Sequence, residues 1–224
     1  MTITRDGNRV ISLMGEPPVN CSESERKQYI ESANESALTP LCKHPLNHSW
    51  TLWYYQNIRS NSWLENQKKV STFSTVEDFW SLYNHVEQPS RINSSNDYSV
   101  FKSNIKPMWE DPANKKGGKW TLTLDKRFRY QMLDEYWREI LMAMIGETFG
   151  DNGDIVNGAV VNVRNSRDKV SLWLANAQNE TNILAIGHSL KARLGLGNAF
   201  SLCFEAHEDS QVKIGSTAKT RFTI

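Results

Sequence analysis

Short runs in which apolar and polar residues alternate constrain the fold of this chain more than any other feature. In residues 119–124 the side chains of Trp120, Leu122 and Leu124 fall on one side, and two threonines fall on the other. Further strand-like runs lie at residues 49–58, 158–163, 169–175, 200–204 and 219–224. Because turn residues, and not βαβ units, separate these runs, the sequence predicts an antiparallel sheet.

Three segments have the period of an amphipathic helix. The first begins after Thr75, which forms a candidate capping box with Asp78. The second spans about residues 131–145 and the third about residues 181–194, before Gly195. Strands and helices mixed in one chain of this length predict an α+β fold with a single folded domain.

The first 40 residues differ in composition from the rest of the chain. They contain Pro17-Pro18, many Ser, Asn and Glu residues, and few bulky apolar ones. Such a segment cannot bury enough surface to offset its ordering entropy. We therefore expect a disordered N-terminal tail over residues 1–40 and a folded domain over residues 41–224, beginning near His44-Pro45.

Charge and cysteine usage narrow the class of protein. The net charge of +1 argues against a broad basic face that coats nucleic acid, so any such contact should be local. Cys21, Cys42 and Cys203 have neither disulfide nor zinc spacing, which favours a reducing compartment. The chain starts without an apolar signal segment, and no stretch is long enough to cross a bilayer. We expect a cytoplasmic protein without a membrane partner, the nucleus or RNA granules being further candidate locations.

Three of the eight tryptophans lie outside the apolar patterns that would bury them. Trp63 and Trp109 are two of these, and Trp109 is followed at once by Glu110. The third, Trp173, lies opposite the core side of its strand and close to a basic cluster, Arg164, Arg167 and Lys169. A desolvated aromatic face attracts a cation by about 2 kcal/mol, and a base stacks on one with roughly 1–3 kcal/mol. The set fits a positively charged purine with a phosphate tail, although any one tryptophan taken alone fits a core position better.

Val76, Trp80 and Met142 are apolar residues that the core stripes of their predicted helices do not use. Trp80 lies about 110° from the centre of its stripe, at 100° per residue. Together the three could form an exposed patch on which an amphipathic helix docks. The alternative is that Trp80 flanks the core and that Met142 is an isolated exposed residue.

Catalytic candidates are few. The five histidines are His44, His48, His85, His188 and His207. No His-Glu-x-x-His pattern, Gly-x-Ser-x-Gly elbow or Walker loop is present in the sequence. We therefore expect a protein that is not an enzyme and that needs neither a metal nor another cofactor.

Six motifs, in this order along the chain, resemble the eukaryotic translation initiation factor 4E family of mRNA cap-binding proteins. They are His44-Pro45-Leu46, Trp50-Thr51-Leu52-Trp53-Tyr54-Tyr55, Thr75-Val76-Glu77-Asp78-Phe79-Trp80, Pro107-Met108-Trp109-Glu110-Asp111, Gly158-Ala159-Val160-Val161-Asn162-Val163-Arg164 and Gly215-Ser216-Thr217. Tryptophans at Trp50 and Trp63 are similar to those of class I members. The resemblance implies a curved antiparallel sheet with three helices on its convex face and a 7-methylguanosine site on its concave face.

The resemblance also implies roles for individual residues at the cap. Trp63 and Trp109 are similar to the rings that sandwich the methylated base, and Glu110 to the carboxylate that accepts from the guanine N1–H and N2 amino group. Trp173 is similar to the ring that touches the methyl group. The residues implied to hold phosphates, or to lie near them, are Arg164, Lys169, Lys119 and Lys213. Ser216 matches a phosphorylatable serine of the family.

A second surface is implied on the opposite side of the domain. It would bind Tyr-x-x-x-x-Leu-Φ helices, Φ being hydrophobic, of scaffold factor 4G and of 4E-binding proteins. Its residues are His44, Pro45, Val76, Trp80, Arg138, Glu139, Met142 and Gly146. Arg138 stands where better-known members carry an aliphatic residue, and Lys119 and Ser166 replace more basic residues near the phosphate path. These departures are typical of a specialised paralogue.

The sequence thus predicts a cap-binding protein, monomeric when free, that links capped mRNA to scaffold factor 4G to start translation. Within the family, the alternative is a repressor isoform that holds caps without productive binding of 4G. A nucleotide-processing enzyme would need a nucleophile or a metal site, and the sequence offers neither. A reader of methylated protein side chains would explain the tryptophans and Glu110 but would leave Arg164 and Lys169 without a role.

Overall fold

The computed structural model describes residues 22–24, 27, 43–211 and 219–224, the side chains of residues 210 and 211 excepted. The chain divides into two units, residues 1–44 and residues 45–224. The second unit holds the sheet and the helices that pack against it. Most of the predicted N-terminal tail lies outside the described residues. Lys213 and Ser216 lie wholly outside them.

One antiparallel sheet of eight strands organises this unit. The strands are β1 (Pro45–Tyr55), β2 (Gln67–Thr75), β3 (Asp97–Lys102), β4 (Gly118–Asp125), β5 (Val156–Asn162), β6 (Arg167–Leu174), β7 (Leu202–Ala206) and β8 (Phe222–Thr223). Their order across the sheet is β2-β1-β3-β5-β6-β4-β7-β8. The helices are α1 (Trp63–Asn66), α2 (Val76–His85), α3 (Pro112–Lys115), α4 (Asp134–Ile145), α5 (Glu180–Arg193) and α6 (His207–Gln211). Shorter helical turns lie at Pro89–Arg91, Lys126–Phe128, Arg129–Leu133 and Gly150–Ile155.

The three longer helices, α2, α4 and α5, cover one face of the sheet. Strand side chains alternate between the two faces, so Trp120, Leu122 and Leu172 all point to the helical side and are fully buried. Ile183 of α5 packs in the same core, and its carbonyl accepts a hydrogen bond of 3.0 Å from the Trp120 indole N–H. The predicted α+β fold, with an antiparallel sheet and three helices on one face, is confirmed.

Two strands were not predicted from the sequence. In β2 (Gln67–Thr75) only Phe73 is fully buried, because β2 is the edge strand of the sheet and most of its side chains face solvent. In β3 (Asp97–Lys102) four consecutive residues are buried, because Tyr98 and Val100 pack in the main core while Phe101 packs in a smaller cluster with Ile105 and Val160. Neither strand therefore shows the alternation that reveals a half-buried strand.

Helix ends follow local capping. The Thr75 side chain accepts from the Asp78 backbone N–H at 3.2 Å and begins α2, and Asn179 caps α5 in the same way. The second predicted helix begins at Asp134 and not near residue 131, because Arg129–Leu133 forms a π-helical turn before it. In the part of the chain that the structure describes, no helix combines the length and apolar character needed to span a bilayer.

Candidate functional site

The face of the sheet opposite the three longer helices carries a cleft of about 340 Å³. Four of the predicted site residues line it: Trp63, Trp109, Glu110 and Trp173. Other lining residues come from the strands and the loop before Trp109, and include Tyr55, Gln67, Asp97, Ser99, Pro107, Met108, Val160 and Asn162. The structure therefore brings together three tryptophans and a carboxylate that lie up to 110 positions apart in the sequence.

Trp63 is held at the edge of the cleft by a capped helical turn. Ser62 and Glu65 form a complete capping box at the start of α1. Asn66, at the end of this turn, is buried, and its side-chain amide donates to the Ile58 carbonyl at 3.1 Å. The Trp63 ring itself is 45% exposed. The turn thus fixes a large and partly exposed aromatic ring beside Tyr55, with the two ring centroids 6.1 Å apart.

Trp109 and Glu110 lie on a loop that a buried asparagine organises. The Asn114 amide donates to the carbonyls of Lys106 and Met108, at 3.0 and 2.9 Å. Asp111 accepts from the Lys106 backbone N–H at 2.9 Å and closes the loop. Although these contacts fix the backbone, the Trp109 ring is 39% exposed and Glu110 is exposed. The loop presents both side chains to the cleft.

Trp173 forms the floor of the cleft. It belongs to β6, on the face opposite the main core, and the edge-to-face contact with Phe101 places the ring centroids 5.4 Å apart. The His207 ring contacts it in a tilted arrangement, with ring centroids 4.3 Å apart. Burial, and next the positive charge of Lys119, lower the pKa of His207 to about 4. His207 is therefore a neutral ring at pH 7 and supports Trp173 without adding charge.

Arg164 stands beside the cleft and is held by an acid that lines it. Its guanidinium bonds both carboxylate oxygens of Asp97, at 2.5 and 3.1 Å, and the Val163 carbonyl at 3.0 Å. The bond to Asp97 raises the pKa of Arg164, with burial opposing it. These contacts use three of the five N–H donors of the Arg164 guanidinium. Among the described residues, two of its N–H donors therefore have no partner and can bind an anion.

A buried ion pair fixes the backbone of Arg164. Arg129 donates to both carboxylate oxygens of Asp168 at 2.7 Å, and both side chains are buried. Asp168 also accepts from the Arg164 backbone N–H at 2.9 Å, while Arg129 donates to the Arg164 carbonyl. The turn between β5 and β6 is consequently clamped at one residue through both of its backbone groups.

The remaining predicted cations surround the cleft and do not line it. Lys169 is exposed on β6, on the same face as Trp173, and pairs with Asn162 of the cleft wall. The Lys119 ammonium lies 5.9 Å from the centroid of the Trp173 ring. Lys213, like the phosphorylation candidate Ser216, lies outside the described residues, so both assignments stay predictions.

The chemistry of this arrangement is that of binding. Two exposed rings at the rim, a third ring on the floor and one exposed carboxylate can hold a flat cationic base. The cations at the end of the cleft can hold its anionic tail, Arg164 through paired N–H donors and Lys169 as a point charge. Among the residues described here, no group of three or more His, Cys, Asp or Glu could hold a metal ion.

Six of the residues predicted to bind a protein partner belong to the two helices α2 and α4 or end one of them: Val76, Trp80, Arg138, Glu139, Met142 and Gly146. Val76 and Trp80 are on α2 and are 38% and 36% exposed. Trp80 packs its ring against Phe79, with centroids 4.9 Å apart. Met142 is half-buried on α4, and Gly146 ends that helix by donating its backbone N–H to the Met142 carbonyl at 2.9 Å.

Arg138 and Glu139 of α4 are two further residues of the predicted partner surface. The Arg138 guanidinium lies 3.4 Å from the Glu139 carboxylate. Burial raises the pKa of Tyr83 on α2, and the positive charge of Arg138 partly offsets this rise. Arg138 therefore lies close to α2. Pro45 is exposed at the start of β1, beside Thr75, and His44 belongs to the other unit.

Several residues of the cleft could not be found from the sequence. Asp97 binds Arg164 across 67 positions and lies in a strand without alternation. His207 follows a strand as an isolated histidine, with no motif to link it to Trp173. One sequence signal lies close to Asn114. Asn114 follows Trp109-Glu110 and then the pair Asp111-Pro112, and such a pair is typical of the start of a helical turn. That signal predicts a turn and not the buried amide.

Comparisons with known proteins agree with this geometry. The family model described as eukaryotic initiation factor 4E matches residues 45–222. Initiation factor 4E1 of Drosophila melanogaster is 50% identical over 184 residues, which cover 82% of this chain and 70% of that protein. The structure of Ascaris suum initiation factor 4E-3 with an m2,2,7G cap is 48% identical, covers 81% of this chain and 98% of that one, and superposes with a TM-score of 0.77. The complex of C. elegans initiation factor 4E-3 with the 4E-binding protein Mextli and a cap analogue is 45% identical, covers 81% and 99%, and has a TM-score of 0.75.

Proposed function

Since this chain belongs to the eukaryotic initiation factor 4E family, we propose that it binds the 7-methylguanosine cap of mRNA in the concave cleft and links it to scaffold factor 4G. The observation that carries the proposal is the convergence of Trp63, Trp109, Glu110 and Trp173 on one cleft. Solved relatives hold an m2,2,7G cap or a cap analogue. We assign the same class of ligand to this chain.

Two kinds of interaction recognise the guanine ring: stacking with an electrostatic contribution, and hydrogen bonds to its edge. Methylation at N7 gives the guanine a positive charge, which the faces of Trp63 and Trp109 attract in addition to stacking. Glu110 accepts from the guanine N1–H and N2 amino group, in charge-assisted bonds worth roughly 1.5–3 kcal/mol. Trp173, whose ring contacts those of Phe101 and His207, meets the methyl group. Methylated guanine therefore gains the attraction of its charge to the rings and the contact of its methyl group with Trp173, whereas the bonds to Glu110 are common to both bases.

The triphosphate lies between Arg164 and Lys169, with Lys119 and Lys213 as further cations. Arg164 contributes the two N–H donors that Asp97 and Val163 do not use, and its position is set by the buried pair below it. Because Asp97 already balances one positive charge beside the cleft, the net attraction for phosphate there is smaller than a count of cations indicates.

The helical side binds Tyr-x-x-x-x-Leu-Φ helices through Val76, Trp80, Met142 and their neighbours. A relative has been solved with a 4E-binding protein, and 4E-binding proteins are proposed as regulators that compete with 4G. Arg138 places a charge within this surface. Its aliphatic stem can cover apolar atoms. A partner helix therefore still binds this surface, but more weakly than it would with an aliphatic residue at this position.

The protein performs no reaction in this proposal. A repressor isoform that holds caps without 4G remains the alternative within the family, and the Arg138 charge is the observation that favours it. A nucleotide-processing enzyme would have to place a nucleophile, a base or a metal ion against the ligand, and the chemistry of the cleft supplies rings, one carboxylate and cations. A reader of methylated protein side chains would not use Arg164 or Lys169.

One titration separates these classes. Tryptophan fluorescence is followed as m7GTP or GTP is added, and the nucleotide is analysed by chromatography afterwards. We expect quenching, at least tenfold tighter binding of m7GTP, and recovery of the nucleotide unchanged; tenfold corresponds to about 1.4 kcal/mol. Equal affinities would exclude the sandwich of the methylated base. Conversion of the nucleotide would establish an enzyme.

A further inference from the structure

A second groove lies on the same face of the sheet as the cap cleft, at the other end of strands β4 and β6. Its volume is about 380 Å³. Two arginines and two phenylalanines line it: Arg127, Arg167, Phe128 and Phe200. We call it the arginine–phenylalanine groove. Thr123, Asp125, Ala199, Ser201 and Cys203 line the rest. None of these residues belongs to the cap cleft.

The aromatic part of the groove is ordered but not buried. Phe128 and Phe200 meet edge to face with ring centroids 5.9 Å apart, and both rings are half-exposed. The Arg127 guanidinium lies 4.8 Å from the centroid of the Phe128 ring, within the range of a cation–π contact. A planar cation and an aromatic ring are therefore already arranged as surfaces on which another planar group can stack.

The charge of the groove is positive. Arg127 and Arg167 are exposed, and exposed Lys126 and Lys169 stand next to them in the sequence or on the same strand face. The one acid of the groove, Asp125, lies 3.8 Å from Arg127 and also caps the turn that carries it. Several cations against one carboxylate form a strong local field in a chain whose net charge is +1.

The groove is continuous with the proposed cap site. On β6, Trp173, Lys169 and Arg167 point to the same face, because alternate residues of a strand do so. Arg167 lies about 20 Å from Trp173 along the strand, at about 3.3 Å per residue. Across the sheet, Lys169 pairs with Thr123 and Arg167 with Asp125, which line the groove. A chain that leaves Trp173 and passes Lys169 therefore arrives at the groove.

We propose that the arginine–phenylalanine groove binds the nucleotides that come after the first nucleotide next to the cap in the same RNA. This inference rests on the cap-binding function proposed above. Arg167 and Arg127 contact backbone phosphates, and one base stacks on the exposed aromatic and guanidinium surfaces of the groove. RNA is favoured over a protein segment because the groove combines stacking planes with cations and continues the path of the triphosphate.

The experiment compares short and extended capped ligands. The probes are the dinucleotide m7GpppG and the same cap extended by four unstructured nucleotides. For the unaltered protein we expect the extended ligand to bind at least about fivefold more tightly, the factor that one stacked base gives. In the double variant Arg127→Ala/Arg167→Ala this gain disappears, while the affinity for m7GpppG is unchanged. Phe200→Leu, which keeps the apolar volume, loses most of the gain.

Matched variants control for charge and for exposed aromatic surface. Arg91→Ala/Arg193→Ala removes the same charge from exposed arginines outside the groove, and Tyr130→Ala removes a ring that is 76% exposed. Both should keep the gain. The salt dependence gives a second readout: removing two phosphate contacts should lower the slope of log K against log salt by about 1.4, at roughly 0.7 per contact on a single strand.

The outcomes are distinguishable. An extended ligand that binds the unaltered protein no better than m7GpppG overturns the groove proposal, as does a gain that survives in the arginine and phenylalanine variants. A gain that persists while the variants lose binding to a Tyr-x-x-x-x-Leu-Φ protein assigns the groove to a protein partner and also overturns it. If m7GpppG does not bind the unaltered protein, it is the proposed cap-binding function that fails.

Discussion

The two faces of the sheet carry their exposed tryptophans in different ways. On the concave face, Trp63 and Trp109 sit on a helical turn and a loop, and polar groups fix the backbone beneath them. On the helical face, Trp80 is part of α2 and its ring is in tilted contact with that of Phe79, a buried residue of the core. Exposure of the three rings is similar, at 45, 39 and 36%, but their attachment to the fold is not.

This difference determines what a substitution can change. Removing a ring of the concave face leaves the core untouched, so binding should change without a change in stability. Removing Trp80 exposes part of Phe79, so binding and stability should change together. The phosphate end of the cleft is the exception on the concave face, because Arg164 depends on the buried pair of Arg129 and Asp168.

The largest effect is expected at that exception. Arg129→Met leaves the buried Asp168 carboxylate without its partner, and breaking a buried ion pair in this way costs about 3–5 kcal/mol. Urea unfolding should show this loss of stability. Affinity for m7GTP should fall while affinity for m7-guanosine, which has no phosphates, is retained. Arg127→Met, an exposed arginine two positions away, is the control. Stability equal to that of the unaltered protein would mean that the pair does not hold the turn.

Glu110→Gln should have the next largest effect, and only on binding. The variant keeps the shape of the side chain but loses the charge that strengthens its bonds to the guanine edge, so we expect a loss of roughly 1.5–3 kcal/mol in cap affinity. Glu110 is exposed, and urea unfolding should not change. Glu208→Gln, an exposed acid of α6, should change neither property. A stability loss in Glu110→Gln would place this residue in the fold and not in the site.

Trp80→Ala tests the helical face. Truncation of a tryptophan that anchors a docked helix costs about 2 kcal/mol or more, so pull-down of a Tyr-x-x-x-x-Leu-Φ peptide should be lost while cap-resin retention persists. A measurable loss of stability should accompany it, because Phe79 loses a ring contact. Trp80→Phe should restore stability better than peptide binding. Release from cap resin would show that the two faces are not independent.

A smaller effect is expected from the histidine in contact with Trp173. The pKa of His207 is about 4 in the folded protein, against about 6.5 in an unfolded chain. Between these values the unfolded chain binds a proton that the folded one does not, so stability falls as pH falls, by at most about 1.4 kcal/mol per pH unit. His207→Phe should remove this contribution between pH 6.5 and 4, whereas exposed His188→Phe should not. Parallel pH profiles for His207→Phe and the unaltered protein would contradict the burial of a neutral ring.

Whether the location of a residue could be predicted from the sequence depends on whether a local pattern or a contact with a distant segment fixes that location. Trp120 and Leu172 could be assigned to the core because alternation records which face of a strand is buried. Trp173 could be assigned to the other face by the same rule. The pairing of Trp63 with Trp109 came from family resemblance, and the structure places both at one cleft.

Contacts between distant segments could not be read in this way. Asp97 meets Arg164 only because β3 and β5 are neighbours, and no local pattern records that neighbourhood. The arginine–phenylalanine groove likewise combines residues of the three strands β4, β6 and β7 with a turn and the segment before β7. Residues that depend on the order of strands in the sheet become visible only when that order is known.

The cation–π sandwich is the central claim, and the preference for the methylated base tests it most directly. Trp63→Leu and Trp109→Leu keep apolar surface at the rim but remove the aromatic faces. We measure the ratio of m7GTP to GTP affinity in each variant and in the unaltered protein by isothermal titration. A ratio of at least about 10 that falls towards 1 in both variants is the result we predict. An unchanged ratio in either variant would contradict the sandwich, because the preference for the methylated base would then not depend on that ring.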